Sequence, residues 1–359
     1  LYAYLKMVSL LLVTTSVTVI GPMIAPISTG APVAPAGSPA CTPKVYVANT
    51  GDTISVIDTS TNTVSVTIPG GSRPVDVAIT PDGRKALVTN LDGGDVTVID
   101  TITEMATSTV PVGSEPTAIT FTPDGTRAYV TDQADGTVSV IDLDVGAVTA
   151  TIPVGNTPLG IAITPDGTTA YVANSNDSDV SVIDTATGVV TSTIVVGTVP
   201  YGVAASPDGT KVYVDDFDDA AVSVITVATG AVTATIPVGT RPSTVAFTPD
   251  GTEALVTNFG GATVSVIDTA TETVIATIPT ETTPTAVAVS SDGSTAYVTH
   301  SGGNSVSVIP IAIRAVTVTI PVGFAPFGLA ITTCATTSPS PVPIAATPAP
   351  NPITPTFTG

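Results

Sequence analysis

The sequence predicts an all-β protein, a seven-bladed β-propeller, on three observations. A Pro-Asp-Gly type turn recurs with its glycine at Gly83, Gly125, Gly167, Gly209, Gly251 and Gly293, each step being 42 residues. A second mark keeps that step: the acid after Val-Ile stands at Asp58, Asp100, Asp142, Asp184 and Asp268, with Thr226 and Pro310 in the two remaining slots. Between the marks the chain alternates small and β-branched residues in short runs, with no useful helical periodicity from 42 to 334. Four strands repeated about every 40 residues are the signature of a propeller blade. A parallel β-helix is the competing architecture, but its coils are usually shorter and carry no hairpin turn in every repeat.

One unit, Ser114 to Gly155, shows how the residues are used. "TAITFT", "RAYVTD", "TVSVID" and "AVTATIPV" are its strands A to D. The TPDG between A and B suits a tight hairpin: Pro presets φ, Asp bonds nearby backbone, and Gly accepts positive φ. With 4% aromatic residues and no Trp, the blades are expected to pack through β-branched side chains without bulky wedges.

The chain enters the repeat at strand B (Lys44 to Asn49) and leaves it at strand A (Pro326 to Thr332). One blade must therefore take strands B, C and D from the N-terminal side and strand A from the C-terminal side, closing the ring. That blade lacks its A–B hairpin, and Cys41 and Cys334 both fall in the column that elsewhere holds the turn Asp. A Cys41–Cys334 disulfide is expected to replace the turn, stabilising the ring by up to about 5 kcal/mol and implying an oxidising compartment.

Three regions follow. Residues 1–40 carry one Lys, an apolar run from Met7 to Ile20, then small residues and prolines, the order of a secretory signal peptide; an uncleaved anchor is the alternative, and the only membrane contact expected. Residues 41–334 are the propeller, and 335–359 a Thr/Ser/Pro-rich tail or linker. The charge is strongly acidic, 9 Lys+Arg against 29 Asp+Glu, which repels phosphate backbones and argues against a nucleic-acid partner.

The strand B runs "YVAN" at Tyr46 and Tyr171, "YVTD" at Tyr129 and "YVTH" at Tyr297, followed by "SVID" and "TIPVG", resemble the YVTN family of β-propeller repeats. The resemblance covers the repeats and implies a seven-bladed propeller, commonly secreted or displayed on a prokaryotic surface and often found in surface-layer-like proteins. It implies no single activity. Similar folds serve lactonases and haem d1 and quinoprotein enzymes, whose chemistry must be sought residue by residue.

Catalytic groups are scarce. His300 is the only histidine and occupies the column of Asn49, Asn90, Asp132, Asn174, Asp216 and Asn258, so it is expected to end strand B as they do. No haem motif or Ser-His-Asp arrangement can be assembled around it. The D–A and B–C loops share one rim. Arg73, Glu115 and Arg241 precede the D–A loop proline, and the two arginines, four blades apart, are expected to face one another across the channel mouth as an anion-binding pair. Asp177 and Asp179 in "NSNDSD", with Asp216 and Asp218 in "DDFDD" on the next blade, are the candidate ligands for Ca²⁺, the one cofactor the residues suggest. Asn176-Asp177-Ser178 is a glycosylation sequon, meaningful only in a glycosylating host.

The scarcity of catalytic groups favours a secreted or cell-surface binding scaffold, contacting a protein or envelope glycan through this rim, over an enzyme. A metal-dependent, lactonase-type hydrolase and a structural surface-layer subunit are the alternatives, and the sequence does not decide the oligomeric state.

Overall fold

The computed structural model describes residues 42–333, which form twenty-eight strands in seven four-stranded antiparallel sheets. The signal-like segment, both cysteines and the Thr/Ser/Pro-rich tail lie outside the described residues. Blade I joins β1 (Lys44–Asn49), β2 (Thr53–Asp58) and β3 (Thr63–Pro69) to β28 (Pro326–Ile331), in the order β28-β1-β2-β3. The ring closes as the repeat register requires. Val45 pairs with Ile331, Tyr46 with Ala330 and Val47 with Leu329. The Thr332 amide then donates to the Lys44 carbonyl at 2.8 Å, and the Lys44 amide to the Thr332 hydroxyl at 2.8 Å.

Blades II to VII are continuous in sequence. Blade II runs β4 (Pro74–Ile79), β5 (Lys85–Asn90), β6 (Asp95–Asp100) and β7 (Met105–Pro111); the innermost strands of the rest are β8 (Pro116–Phe121), β12 (Pro158–Ile163), β16 (Pro200–Ala205), β20 (Pro242–Phe247) and β24 (Pro284–Val289). Strands B and C are buried on both faces, the Ser and Thr of strand C being satisfied by the residue that ends strand B, while the outermost strand alternates exposed and half-buried residues. The core is divided accordingly: seven apolar clusters fill the seven spaces between neighbouring blades. Between blades I and II, for example, Ile54, Val56 and Ile68 meet Val77, Val88 and Ile99. Each such side chain contributes about 1.5–3 kcal/mol by leaving water, so a blade removed from its neighbours would lose its core on both faces.

The packing corrects one expectation. Bulky wedges are present: Tyr46, Tyr129 and Tyr213 of strand B are among the largest fully buried side chains. Tyr129 reaches across to the next blade, its hydroxyl donating to the Thr185 carbonyl at 3.2 Å. The tyrosines compensate for the missing tryptophans.

The turns follow their residue chemistry. Gly83 adopts φ 72°, and the Asp82 carboxylate accepts from the Thr80 hydroxyl at 2.6 Å and the Arg84 amide at 3.0 Å. On the same side of the ring, ion pairs link neighbouring blades: Lys44 with Glu104, Lys211 with Glu272, and Arg314 with Glu253.

Every innermost strand has a register shift near its start, as between Pro74 and Asp76 or between Pro158 and Ile161. Such a bulge turns side chains toward the axis and brings strand A close to the next strand A. At Gly160 the approach is so tight that an added Cβ would lie 2.3 Å from the Tyr201 carbonyl oxygen, whereas one at Gly146, φ 70°, would meet nothing within 4 Å. Gly160→Ala is therefore expected to cost about 3 kcal/mol, because backbone must move, and Gly146→Ala only about 1 kcal/mol, the cost of the left-handed conformation. Equal losses of unfolding free energy in urea titrations would contradict this packing.

Candidate functional site

The rim that carries the B–C and D–A loops is organised by the residue that ends strand B. Asn49, Asn90, Asp132, Asn174, Asp216, Asn258 and His300 are all fully buried. Each reaches a Ser or Thr of strand C: Asn90 donates to Thr97 at 2.8 Å, Asp216 accepts from Ser223 at 2.7 Å, and His300 Nε2 bonds Ser307 at 2.9 Å. Three of them also seat the D–A loop. The Gly113, Gly155 and Gly197 amides donate to Asp132, Asn174 and Asp216 at 3.0, 3.1 and 3.0 Å, and a Cβ at any of these glycines would overlap the facing side chain. Blade VII departs from the pattern as a pair, with Glu281 in the glycine position opposite His300. Burial pulls the His300 pKa down to about 4 against the upward pull of the Glu281 carboxylate, leaving the ring neutral.

The residue before each D–A proline adopts positive φ in all seven blades, including β-branched Thr157, Val199 and Thr283. Its carbonyl accepts from the residue after strand B, as Leu91 donates to Arg73 at 2.9 Å and Phe217 to Val199 at 3.1 Å. Left-handed backbone at a β-branched residue is strained, so surrounding bonds must hold it.

The acidic B–C loops supply many of those bonds. Asp177 accepts from the Asn156 amide and side chain at 2.6 and 2.8 Å, Asp219 from the Thr198 amide at 2.6 Å, Asp135 from the Ser114 amide at 2.6 Å, and Asp52 from the Arg73 amide at 2.8 Å. Of the four candidate calcium ligands, Asp177 holds a loop, Asp179 accepts from Asn174 at 2.7 Å, Asp216 is buried in its strand knot, and Asp218 is exposed. Among the described residues no group of three or more His, Cys, Asp or Glu gathers closely enough to hold a metal ion.

The arginines are placed differently from the expected pair. Arg73 is buried and bonds Asp92 at 3.2 Å, while Arg241 is exposed and lies over the Phe217 ring, 5.6 Å from its centre. Phe217 in turn contacts Phe259 and Tyr201, with ring centres 6.2 and 5.9 Å apart. Glu115 stands on the opposite part of the rim. It lines a polar groove of about 630 Å³ between blades III and IV with Gln133, Asp135, Asn156, Asn176 and Asp177. The Gln133 side-chain oxygen is buried there without a partner.

On the ring axis, residues from all seven innermost strands enclose a cavity of about 170 Å³. Leu159, Tyr201 and Phe327 are the half-buried large side chains of its lining, and Asp76 is its one charged residue. Asp76 occupies the column that reads Ala118, Gly160, Gly202, Thr244, Ala286 and Gly328 elsewhere. Its carboxylate accepts from the Val77 amide at 2.9 Å and the Ile119 amide at 3.1 Å, and burial pushes its pKa up to about 7. A second acid, Asp215, lies behind the cavity-lining Gly202, where an added Cβ would meet its carboxylate at 2.3 Å. It replaces threonines that bond the next blade, such as Thr131, which donates to Leu159 at 2.8 Å. Burial holds Asp215 well above the usual carboxylate range.

A family model described as YNCE-like beta-propeller matches residues 6–336. The chain belongs to the YNCE-like β-propeller family. No curated protein matches it. Among solved structures, this YNCE-like propeller is similar to Kuenenia stuttgartiensis hydrazine synthase, at 23% identity over 75% of this chain and 93% of that one, with a TM-score of 0.70. It is also similar to a functionally unknown protein from Desulfotomaculum acetoxidans DSM 771, at 19% identity over 80% and 98% of the two chains, with a TM-score of 0.73. At these identities the likeness shows the fold alone.

Two sets of carboxylates give this YNCE-like propeller a two-sided pH response. Asp76, Asp132, Asp215 and Asp216, raised chiefly by burial, bind protons in the folded chain that the unfolded chain has released, so they add stability as pH falls from about 7 toward 5. His300 alone opposes them over that range. Asp124, Asp166, Asp208, Asp250 and Asp292 are lowered by the Ser or Thr hydroxyl opening their turns, Asp292 to about 2, so their contribution is lost as pH falls below about 4. Melting temperature is expected to peak near pH 5 and to be lower at about pH 8 and about pH 3. A steady rise from pH 5 to pH 8 would contradict the assignment.

Proposed function

We propose that this YNCE-like propeller is an extracytoplasmic binding scaffold that engages a hydroxyl-rich envelope glycan in the rim groove between blades III and IV. The observation that carries the reading is the buried, unpartnered Gln133 oxygen inside a groove otherwise lined by amides and carboxylates. A buried acceptor without a partner costs about 1–3 kcal/mol, and a turn of the Gln133 side chain toward a ligand hydroxyl in the groove would satisfy it. Asn156 and Asn176 offer donors and Glu115 and Asp135 acceptors, the mixture that a polyol needs. Rigid loops support recognition, because the groove's own carboxylates clamp its D–A backbone and little order remains to be gained on binding. The apolar run Met7–Ile20 and the Thr/Ser/Pro-rich segment 335–359 support an extracytoplasmic location.

Titration calorimetry of the full chain against neutral and acidic oligosaccharides released from bacterial envelopes tests the reading. Saturable binding is expected for at least one of them, weakened about tenfold by Gln133→Leu, which leaves the loop clamps in place. No saturable binding across the set, or binding by the variant at full strength, would refute it.

A further inference from the structure

The axial cavity holds one ionisable acid and no counter-charge. None of its lining residues is Lys, Arg or His, and Arg73, the nearest cation in sequence, is directed to Asp92. Asp76 is surrounded by protein yet half-exposed, which places its carboxylate at the cavity wall in contact with the cavity's interior. Each oxygen takes one backbone amide, from Val77 or Ile119, leaving a lone pair on each for a further donor. A carboxylate so enclosed either takes a proton or takes a cation.

The remaining walls decide which cation. Tyr201 stands across the ring from Asp76 and feels its charge, which raises the phenol pKa further. Phe327 stands on the neighbouring blade, Leu159 and Val75 add apolar wall, and the Thr117, Ser243, Thr244 and Thr285 hydroxyls that also line the cavity donate to backbone carbonyls of the next blade. A divalent metal would want six or more oxygens, whereas aromatic faces with a single carboxylate suit a soft, weakly hydrated ammonium. A space of about 170 Å³ corresponds to roughly six water molecules at about 30 Å³ each, the size of an ammonium bearing a few carbons.

We propose that the axial cavity binds a small organic ammonium ion, held by the Asp76 carboxylate and the rings of Tyr201 and Phe327. Occupancy depends on the ionised carboxylate. The elements packed against Asp76 face it with Thr89 from β5, Ile119 from β8 and Gly328 from β28, so Tyr201 is the only other titratable group lining its cavity.

The test is an NMR or calorimetric titration of the full chain with tetramethylammonium chloride at about pH 8 and about pH 5.5, with potassium chloride as the inorganic control. One saturable site is expected at about pH 8, weakened about tenfold at about pH 5.5 as Asp76 takes up its proton. Asp76→Asn keeps an acceptor for the backbone amides and is expected to lose about tenfold in affinity and to lose the pH dependence. Phe327→Leu tests the aromatic wall without touching the carboxylate, is expected to weaken binding several-fold, and decides the matter if the Asp76 variant does not fold. Absence of a saturable tetramethylammonium site at about pH 8, full-strength binding by either folded variant, or displacement by equimolar potassium would overturn the proposal.

Discussion

The pairing of β28 with β1 is the constraint on which the rest of the molecule depends. Seven sheets joined only in series would leave two end blades with an apolar face open, and each cluster between blades needs both of its walls. With β28 bonded to β1, blade I packs against both blade II and blade VII and no face is left over. The axial cavity exists for the same reason. Its lining draws on all seven innermost strands, one of which comes from the far end of the chain.

A second constraint sets what the rim can do. Exposed carboxylates of the acidic B–C loops are tied to the structure: Asp52, Asp135, Asp177 and Asp219 accept the amides of the D–A loops, whose left-handed residues need holding. Of the candidate metal ligands, Asp177 and Asp216 each accept a D–A loop amide, and Asp179 accepts from the Asn174 side chain. What remains available is local: a polar groove on one part of the rim and an aromatic patch under Arg241 on another. Near-identical repeats thus produce an asymmetric rim through a few substituted columns.

The repeat step, the strand assignments and the ring closure were legible in the sequence because they are periodic, and a periodic signal is confirmed seven times. The function of the strand-ending column was legible too, since His300 could be compared with six equivalents and does end its strand. The sites were harder to see. Arg73 and Arg241 share a column, yet their different neighbours, Asp92 for one and Phe217 for the other, separate their roles. Asp76 was visible in principle, as the only charge in a column of Gly, Ala and Thr, but nothing local says that this column faces the axis; the bulge near the start of strand A does that. Gln133 carries no sequence signal, because its unpartnered oxygen results from packing. The tyrosine wedges recur in one column of strand B, a positional signal that the low average aromatic content conceals.

Amide hydrogen exchange across the innermost strands, read residue by residue on the full chain, tests the closed ring most directly. The account predicts that the Leu329 to Thr332 amides of and beside β28 exchange as slowly as their counterparts in β24 of blade VII, both being opened only by global unfolding. Exchange of the β28 amides at the rate of an unstructured segment, with β24 still protected, would show that the ring is open and would remove the basis for the axial site.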